Sequence, residues 1–417
     1  MADLVVKNAS QVLTCARKGL APPFAGPHQN EIGLVEGGVA VEKGRIVAIG
    51  PDALKMKAER VIDAQGGIVL PGFVDCHTHA VFVGDRADEF EERARGTSYA
   101  EIARQGGRIR ASMRMLREAS DDELEAAVRR HLDRFLELGT TTIEAKSGYG
   151  LSLKDELRSL RALAVRHKVE VVRTCLAAHA FPPEFEGNRS GYVDLVTKEI
   201  FPAVVKEGLA QYCDIFCEKG AFTFEEAEIV LKAGRDLGLR PRVHADQLSH
   251  SGGARLACRV EAISADHLEF TPREACLAMK KAGVMAVLLP AANYVLDQAD
   301  RPPARAMISL GLPVALATDF NPGSAPTQSM PLVLNLAVVR FGMSIAESIV
   351  AATINAAFAA GAAKRVGSLE LGKQADLIVC DVKDYRELAY QFGRNPVRTV
   401  IKRGRLAKHV ARKQAGA

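Results

Sequence analysis

Six residues capable of metal binding or acid–base chemistry each follow a short apolar run in this 417-residue sequence. They are His77, His79, His179, His244, His267 and Asp319. His77 and His79 are two residues apart, and on a β-strand such side chains point to the same side, so both imidazoles can reach one ion. With His244 and Asp319 they offer three imidazoles and one carboxylate, which suit Zn²⁺ or an iron ion and leave one position open for water. The alternative is that His244 and His267 are hydrogen-bonded core residues and that Asp319 caps a helix.

Eight apolar runs have the length and composition of buried strands and would position these residues. They are IVLPGFVDC (68–76), TTTIEAKS (140–147), VEVVRTCLAAH (169–179), YCDIFCEKG (212–220), RPRVHADQ (240–247), EAISADHL (261–268), VMAVLLPAAN (284–293) and PVALATDFN (313–321). Helical windows separate them, and a last helix is expected near 327–341. This alternation predicts an α/β fold, a (β/α)8 TIM barrel over residues 70–364 with its active site at the C-terminal ends of the strands. An open doubly wound sheet is the main alternative, and the lack of GxGxxG after the first strand disfavours it.

The two ends of the chain differ from the middle in their residue pattern. Both contain short β-branched stretches bounded by Gly, Lys-Gly or Pro, which indicates strands joined by tight turns. We therefore expect residues 1–69 and 365–417 to form one small β-sandwich beside the barrel. The connection 77–120 is expected to be a long loop.

The composition is that of a soluble enzyme, with 48% hydrophobic and 25% charged residues. No apolar run approaches the ~18–20 residues of a membrane span, and the N-terminus lacks a signal-peptide pattern, so we expect a cytoplasmic protein without membrane contact. The eight cysteines include no CxxC pair and are expected to be buried thiols. Eight basic residues and no acidic residue follow Glu387. No aromatic residues are interleaved with them, so we expect a solvated tail and no nucleic-acid binding.

Four segments of the sequence resemble the metal-dependent amidohydrolase superfamily. They are PGFVDCHTHA at the first strand, HAD at 244–246, ADH at 265–267 and ATDFNPG at 317–323. The finer motifs GDRADEF, KSGYGL, AAHAFPPE and DFNPGSAPTQSMPLVLNLA are similar to one branch of it, and the likeness spans essentially the whole chain. The resemblance implies His77, His79, His244 and Asp319 as ligands of one Zn²⁺ or Fe³⁺ ion. It also implies a set of substrate contacts, namely Arg86, Tyr149, His179, Asn321, Gly323 and Ser324.

The activity that this resemblance implies is hydrolysis of a carbon–nitrogen bond in a cyclic amide. The implied substrate is 4-imidazolone-5-propanoate and the product N-formimidoyl-L-glutamate, a step of histidine degradation. The residues are compatible with such a substrate, because its carboxylate tail would suit the forked guanidinium of Arg86. Tyr149 lies between two glycines, a context that favours contact with a ligand over a place in the core. The alternative for Arg86 is a surface position within an acidic segment.

A metal ion would supply the nucleophile by lowering the pKa of a bound water from 15.7 towards about 7. His267, Asp319 and His179 are the candidates for moving protons to and from the reacting groups, and which of them is the general base stays open. Gln247 occupies the position three residues after His244, where many relatives that deaminate have Glu. An amide can only hydrogen-bond, so Gln247 is expected to assist catalysis as a partner of the substrate ring.

Two further points stay open in the sequence. Lys146 or Lys219 could bridge a second metal ion, although the KSGYG motif favours a role for Lys146 in orienting its loop. Alternative functions are another single-metal amidohydrolase, which opens a different acidic cyclic amide or deaminates a heterocycle, and a scaffold without turnover. The apolar region 327–345 could belong to the core or to the interface of a homodimer, and the core is favoured.

Overall fold

The computed structural model describes residues 1–19, 21–97, 101, 107 and 109–410. Seven strands occur in the first part of the chain: β1 (Ala2–Lys7), β2 (Gln11–Leu13), β3 (Leu34–Val35), β4 (Gly38–Glu42), β5 (Arg45–Gly50), β6 (Ala58–Asp63) and β7 (Ile68–Pro71). They alternate small and β-branched residues with glycine turns, as the sequence predicts.

Eight parallel strands form the barrel: β8 (Phe73–Thr78), β9 (Thr140–Lys146), β10 (Glu170–Ala178), β11 (Tyr212–Cys217), β12 (Arg240–Ala245), β13 (Ser264–His267), β14 (Met285–Leu288) and β15 (Val314–Leu316). Each strand pairs with the next in chain order. Thr78 forms a parallel bridge with Phe320, which joins the last strand region back to the first. The predicted (β/α)8 TIM barrel is therefore confirmed.

The predicted strand over 68–76 is wrong in one respect, because the structure divides it in two. β7 pairs outside the barrel, and β8 begins at Phe73 after Gly72. A Cβ atom on Gly72 would lie 2.4 Å from the Thr141 side chain, so only glycine lets the chain pass here from one sheet to the next. The first connection is also not simply a loop, since its described part contains the helices Ala87–Ala94 and Ile109–Glu118.

The larger helices cover the outside of the barrel. The helices after residue 120 are Asp121–Glu137, Leu153–Leu163, Arg189–Leu195, Phe201–Lys206, Phe224–Asp236, Gly253–Arg259, Arg273–Ala282, Pro290–Val295, Ala304–Ser309, Met330–Phe341, Ile345–Ala351, Ile354–Ala359 and Glu387–Tyr390. Short helical turns occur at Pro51–Leu54, Gly26–Asn30, Pro183–Phe185 and Val196–Ile200. Capping boxes at Ser120, Thr223 and Ser344 satisfy free backbone donors and fix where three of these helices begin. In the described ranges, none of the helices is long and apolar enough to cross a bilayer.

Three strands complete the chain: β16 (Leu377–Cys380), β17 (Val397–Lys402) and β18 (Arg405–His409). They extend a six-stranded sheet of order β18-β17-β16-β7-β2-β3, and a four-stranded sheet has the order β5-β4-β1-β6. Leu4 and Val39 of the smaller sheet share a buried apolar cluster with Val69 and Leu377 of the larger one. Segments from both ends of the chain thus share one small core, and the limits of that unit at 69 and 365 stay a prediction.

Two smaller expectations concern buried apolar residues. All eight cysteines are free thiols, and seven of them are buried, as expected. The helix Met330–Phe341 buries most of its apolar side chains against the barrel, while Val339 is exposed. This region therefore serves as core, as the sequence favours.

Candidate active site

The barrel closes at the residues predicted to bind metal, and the backbone brings them together. The Asp319 amide donates to the His77 carbonyl oxygen at 3.1 Å, and the His79 amide donates to the Phe320 carbonyl oxygen at 2.9 Å. Asp319 Oδ1 consequently lies 3.3 Å from His79 Nε2 and 3.5 Å from His77 Nε2. His244 Nε2, at the end of β12, lies 3.4 Å from His79 Nε2. All four predicted ligands thus converge in the interior of one site.

The chemistry of this donor set fits a metal ion. His77 Nδ1 donates to Asp266 Oδ2 at 2.6 Å, and His244 Nδ1 lies 3.1 Å from Asp214 Oδ2, so the Nε2 lone pairs of both rings point into the cluster. Within the described ranges His77 Nε2 has no hydrogen-bond partner. Burial, with nearby cationic groups, holds the pKa of His77 well below its ordinary value, which favours the neutral imidazole that binds metals.

The alternative that Asp319 caps a helix is wrong, whereas the metal-binding role of His244 stays a prediction. The helix after Asp319 begins only at Met330, and Ser329 caps it. His267 lies beside the cluster, with its ring centroid 5.4 Å from that of His244. Burial lowers the pKa of His267 to about 3, so its ring is neutral.

The backbone at two of these strand ends adopts a conformation that L-residues seldom take. His267 has φ of 83° and Asp319 has φ of 57°, both in the left-handed region. Such conformations cost of order 1–3 kcal/mol and persist at sites where the surroundings impose them. They turn both side chains from the strand direction into the cluster.

A narrow pocket of about 60 Å³ opens above the cluster. Its lining is His79, Arg86, Ile109, Tyr149, His179, Phe216, His244, Gln247, His267, Leu296, Asp319, Asn321 and Ser324. All predicted substrate contacts except Gly323 line it, and Gly323 lies directly behind one of them. A Cβ atom on Gly323 would lie 1.7 Å from Arg86 Nη2, so glycine is required for the guanidinium to occupy this place.

Arg86 is not a surface residue, so that alternative is wrong. Its side chain is 9% exposed, and Nε lies 3.2 Å from Glu89 Oε2. The sequence alternative for Arg86 rested on its acidic neighbours, which say nothing of what folds over it.

Short polar networks hold the pocket loops in place. Asn321 accepts from the amides of Gly323 and Ser324 and donates to Ser324 Oγ at 2.8 Å, which fixes the turn after Asp319. His179 Nδ1 donates to the Gly148 carbonyl, and the His179 ring stacks on that of His79 with centroids 5.1 Å apart. The loop around Tyr149 is therefore tied to the metal-ligand cluster.

Asp246 holds in place the segment that carries Gln247. Its carboxylate accepts from the amides of Gly252, Gly253 and Ala254, at the start of the helix that follows. A carboxylate is stabilised at this end of a helix by the free amides and the helix dipole. The network orders the segment after β12 and places Gln247 at the pocket.

Sequence reasoning missed three apolar residues of the pocket, Ile109, Phe216 and Leu296. Phe216 could have been found, since it lies near the C-terminal end of a barrel strand like the histidines. Ile109 and Leu296 belong to connecting segments, and their types carry no chemical signal. They give the pocket its only aliphatic surface among the lining residues.

A second charged layer lies beneath the cluster and was also missed. Lys146 is fully buried, with Nζ 2.9 Å from Glu144 Oε1, 2.8 Å from Asp214 Oδ2 and 4.0 Å from Asp266 Oδ2. Burial by itself lowers the pKa of Lys146, but these three carboxylates raise it to about 12. Lys146 is therefore a cation fixed between carboxylates.

The predicted role of Lys146 in orienting its loop is wrong. Glu156 instead accepts from the amides of Gly150 and Leu151 and so holds that loop. Lys219, the other lysine considered for a second metal, is exposed outside the cluster. Neither lysine offers a ligand to the four converging groups.

Comparison with known proteins agrees with this site. The model of the Amidohydrolase family matches residues 68–407. The chain is 49% identical over 412 residues to an imidazolonepropionase of Solibacter usitatus, covering 97% of this chain and 98% of that protein. It is 46% identical over 419 residues to an imidazolonepropionase of Geobacillus kaustophilus, with coverage of 97% and 98%.

Two solved structures share the fold at lower identity. A zinc-bound adenosine deaminase from Xanthomonas campestris superposes with a TM-score of 0.70 at 18% identity, covering 98% of this chain and 93% of that one. The ochratoxinase of A. niger superposes with a TM-score of 0.67 at 18% identity, covering 98% and 97%. The chain belongs to the amidohydrolase family. Within that family it belongs with the imidazolonepropionases, to which it is similar over almost its full length.

Proposed function

We propose that this chain hydrolyses the cyclic carbon–nitrogen bond of 4-imidazolone-5-propanoate and releases N-formimidoyl-L-glutamate, a step of histidine degradation in the cytoplasm. The observation that carries the proposal is a single narrow pocket in which a buried guanidinium, Arg86, faces the same space as the four converging His and Asp ligands. A flat ring with a carboxylate tail matches both features. The family membership agrees with an enzyme that acts on cyclic amides.

The metal in this proposal is one Zn²⁺ or Fe³⁺ ion, held by His77, His79, His244 and Asp319. When bound, such an ion lowers the pKa of a coordinated water towards about 7 and so supplies hydroxide at neutral pH. Asp266 accepts from His77 Nδ1, and Asp214 Oδ2 lies 3.1 Å from His244 Nδ1, which leaves Nε2 of these two rings for coordination.

The substrate in this proposal is oriented by its two ends. Arg86 binds the propanoate carboxylate, since a guanidinium offers two parallel donors to a carboxylate. Gly323 leaves the space that this guanidinium needs. Tyr149, His179, Asn321 and Ser324 contact the ring or the tail from the pocket wall, and Gln247 donates or accepts at the ring.

Hydrolysis adds water to the ring carbonyl carbon, after which the bond from this carbon to the ring nitrogen breaks. The water proton must be accepted, and a proton must reach the departing nitrogen. Asp319 and His267 are the two side chains in the pocket proposed to carry these protons. Gln247 cannot exchange a proton, so its contribution is a hydrogen bond. This also argues against the deaminase alternative.

The test is turnover of freshly generated 4-imidazolone-5-propanoate by metal-loaded protein. Loss of ultraviolet absorbance and appearance of N-formimidoyl-L-glutamate by mass are the readouts. We expect turnover that a chelator abolishes and that added Zn²⁺ or Fe²⁺/Fe³⁺ restores. Turnover that survives complete metal removal would contradict the proposed role of the ion.

The alternatives have their own outcomes in this experiment. If metal is bound and this substrate is untouched, the proposal fails, and other acidic cyclic amides become the first substrates to try. Release of ammonia from a panel of purines, pyrimidines and imidazolones would instead favour a deaminase. A homodimer stays a prediction, which the mass of the protein in solution would test.

A further inference from the structure

The opposite end of the barrel carries a wide basic cleft that the proposed reaction does not use. Its volume is about 940 Å³, and its lining is Asp3, Lys43, Gly44, Arg45, Arg166, His167, Lys168, Arg365, Gln374, Lys402, Arg403, Gly404, Arg405, Leu406 and Ala407. Eight of these residues are Lys or Arg, and a single one, Asp3, is acidic. Arg166 and Lys168 directly precede β10, so the cleft lies at the N-terminal end of that strand, away from the candidate active site.

Two hairpin turns from distant parts of the chain form one wall of the cleft. The first has the sequence EKGR at 42–45 and joins β4 to β5, and the second has KRGR at 402–405 and joins β17 to β18. Lys43 and Arg403 have φ of 50°, and Gly44 and Gly404 have φ of 74°. Two successive positive φ values are typical of the two-residue type I′ hairpin turn.

The two turns pack directly against each other. A Cβ atom on Gly404 would lie 2.9 Å from Gly44 Cα, so a larger residue there would push the turns apart. Ala375 joins them through its backbone, since its amide donates to the Gly44 carbonyl and its carbonyl accepts from the Gly404 amide, both at 2.9 Å. The fold therefore fixes the basic residues of the two turns side by side.

Only part of this positive charge is balanced by carboxylates. Glu170 pairs with Arg365 and lies 3.6 Å from Arg403 Nη2, and Asp376 accepts from Lys402 Nζ at 2.6 Å. Among the residues that the structure describes, no carboxylate comes within 4.0 Å of the side-chain nitrogens of Lys43, Arg166 or Arg405. The cleft thus keeps a surplus of cations, both from the two hairpin turns and from the segment that precedes β10.

We propose that this cleft binds a small molecule that carries a chain of linked phosphates. Five of its eight cations are arginines, whose planar forks suit phosphate oxygens better than a lysine ammonium does. Cations from several segments of the chain suit a ligand with several charges. The volume of the cleft lies within the range of small-molecule sites. The described lining residues include no Phe, Tyr or Trp on which a nucleobase could stack, and His167 is the one ring among them, so phosphates rather than bases are recognised, and nucleic acid is disfavoured. The proposal is independent of the hydrolase reaction.

The experiment is calorimetric titration of the full-length, metal-loaded protein with inorganic tripolyphosphate at about 50 mM salt. We expect saturable binding at one site that weakens as salt is raised, since screening reduces the attraction. Arg166→Ser combined with Arg405→Ser removes two cations without leaving a carboxylate unpaired. This double variant should bind about 100-fold more weakly, because each of the two lost charge-assisted hydrogen bonds is worth roughly tenfold.

The matched control is Arg255→Ser combined with Arg273→Ser, which removes the same charge from exposed positions on two barrel helices. It should bind tripolyphosphate within about twofold of the parent. Equal weakening of both double variants would overturn the proposal in favour of general charge attraction. Absence of binding to the parent protein at this salt concentration would also overturn it.

Further titrations distinguish the source of the phosphates. ATP binding as tightly as tripolyphosphate, with AMP much weaker, would support recognition of a nucleotide's phosphate chain. Binding of tripolyphosphate alone would support a free polyphosphate. Tighter binding of a single-stranded oligonucleotide at equal phosphate concentration would overturn the proposal and point to nucleic acid.

Discussion

The candidate site consists of two layers of ionisable groups that differ in how their charge is satisfied. In the upper layer, the predicted metal ligands are His77, His79, His244 and Asp319, and their nitrogen and oxygen lone pairs face one another. In the lower layer, Lys146 is surrounded by Glu144, Asp214 and Asp266 within 4.0 Å. The upper layer is arranged to receive an ion, whereas the lower layer already contains its own cation.

The difference between the two layers shows how buried charges beneath the predicted metal ligands orient their imidazole rings. A buried carboxylate without a partner is costly, and three of them near one another would repel. Lys146 offsets that repulsion. With His244 it holds the pKa of Asp214 well below its ordinary value, whereas burial still raises the pKa of Asp266 to about 6 against the lowering effect of Lys146. The lower layer thereby sets which nitrogen of each imidazole is free, and the upper layer depends on it.

Asp319→Ala tests the upper layer and should have the largest effect. It removes the carboxylate that faces both His77 and His79, together with one of the two proposed proton carriers. We expect bound metal to be lost and kcat/KM to fall by at least about 10³-fold. Metal content by mass spectrometry and steady-state kinetics are the measurements. Asp236→Ala, on an exposed helix end, is the control, and full turnover by Asp319→Ala would contradict the site.

Lys146→Met tests the lower layer through the cation that lies within 4.0 Å of all three of its carboxylates. Arg242, whose Nε lies 4.0 Å from Glu144 Oε1, remains in the variant. Breaking a buried pair of this kind costs about 3–5 kcal/mol of the free energy of unfolding. Metal affinity should also fall about 10- to 100-fold, because the ligand rings lose their orientation. Chemical unfolding and competition with a chelator measure the two effects. The exposed Lys154→Met is the matched control and should change neither.

A milder change separates orientation from folding. Asp266→Asn keeps the shape of the side chain and removes the charge that accepts from His77 Nδ1. Its metal affinity should fall while its cooperative unfolding is retained. Unchanged metal affinity in this variant would mean that the lower layer serves stability alone.

The sequence predicted the upper layer and failed to predict the lower one, for a physical reason. The ligands stand at strand ends, and topology requires the ends of parallel barrel strands to meet at one face. Glu144 and Lys146 lie inside a single strand, and nothing in their spacing shows that Asp214, on a strand two places away, lies 2.8 Å from Lys146. Such a pairing depends on the inward direction of each side chain and on the barrel's register.

The fold was predictable to a similar extent. The alternation of apolar runs and amphipathic helices suffices for eight parallel strands, because each element carries its own periodicity. The division at Gly72 was not predictable, since IVLPGFVDC is apolar throughout and the change of sheet arises from the approach of Thr141. The helices between 77 and 120 were not predicted, because their sequence is highly charged and resembles that of a loop.

Arg86→Ala tests the substrate side of the upper layer and should have a smaller effect. The loss of a charge-assisted pair with the propanoate should raise KM about 10- to 30-fold and change kcat little. Steady-state kinetics with 4-imidazolone-5-propanoate measures it. Arg95→Ala is the control, because it removes an exposed guanidinium that follows the helix Ala87–Ala94, whereas Arg86 precedes that helix. An unchanged KM in Arg86→Ala would place the carboxylate tail elsewhere in the pocket.

Gln247→Ala should have the smallest effect, because this side chain is a neutral amide in the lining of the pocket. Its place depends on Asp246, whose carboxylate network remains intact in the variant. The loss of neutral hydrogen bonds to the ring should raise KM by about two- to tenfold. The pH dependence of kcat should stay unchanged, because an amide exchanges no proton with substrate. A shifted pH profile, or a fall in kcat beyond about 100-fold, would contradict this prediction. Either result would show that Gln247 controls the proton carriers Asp319 and His267.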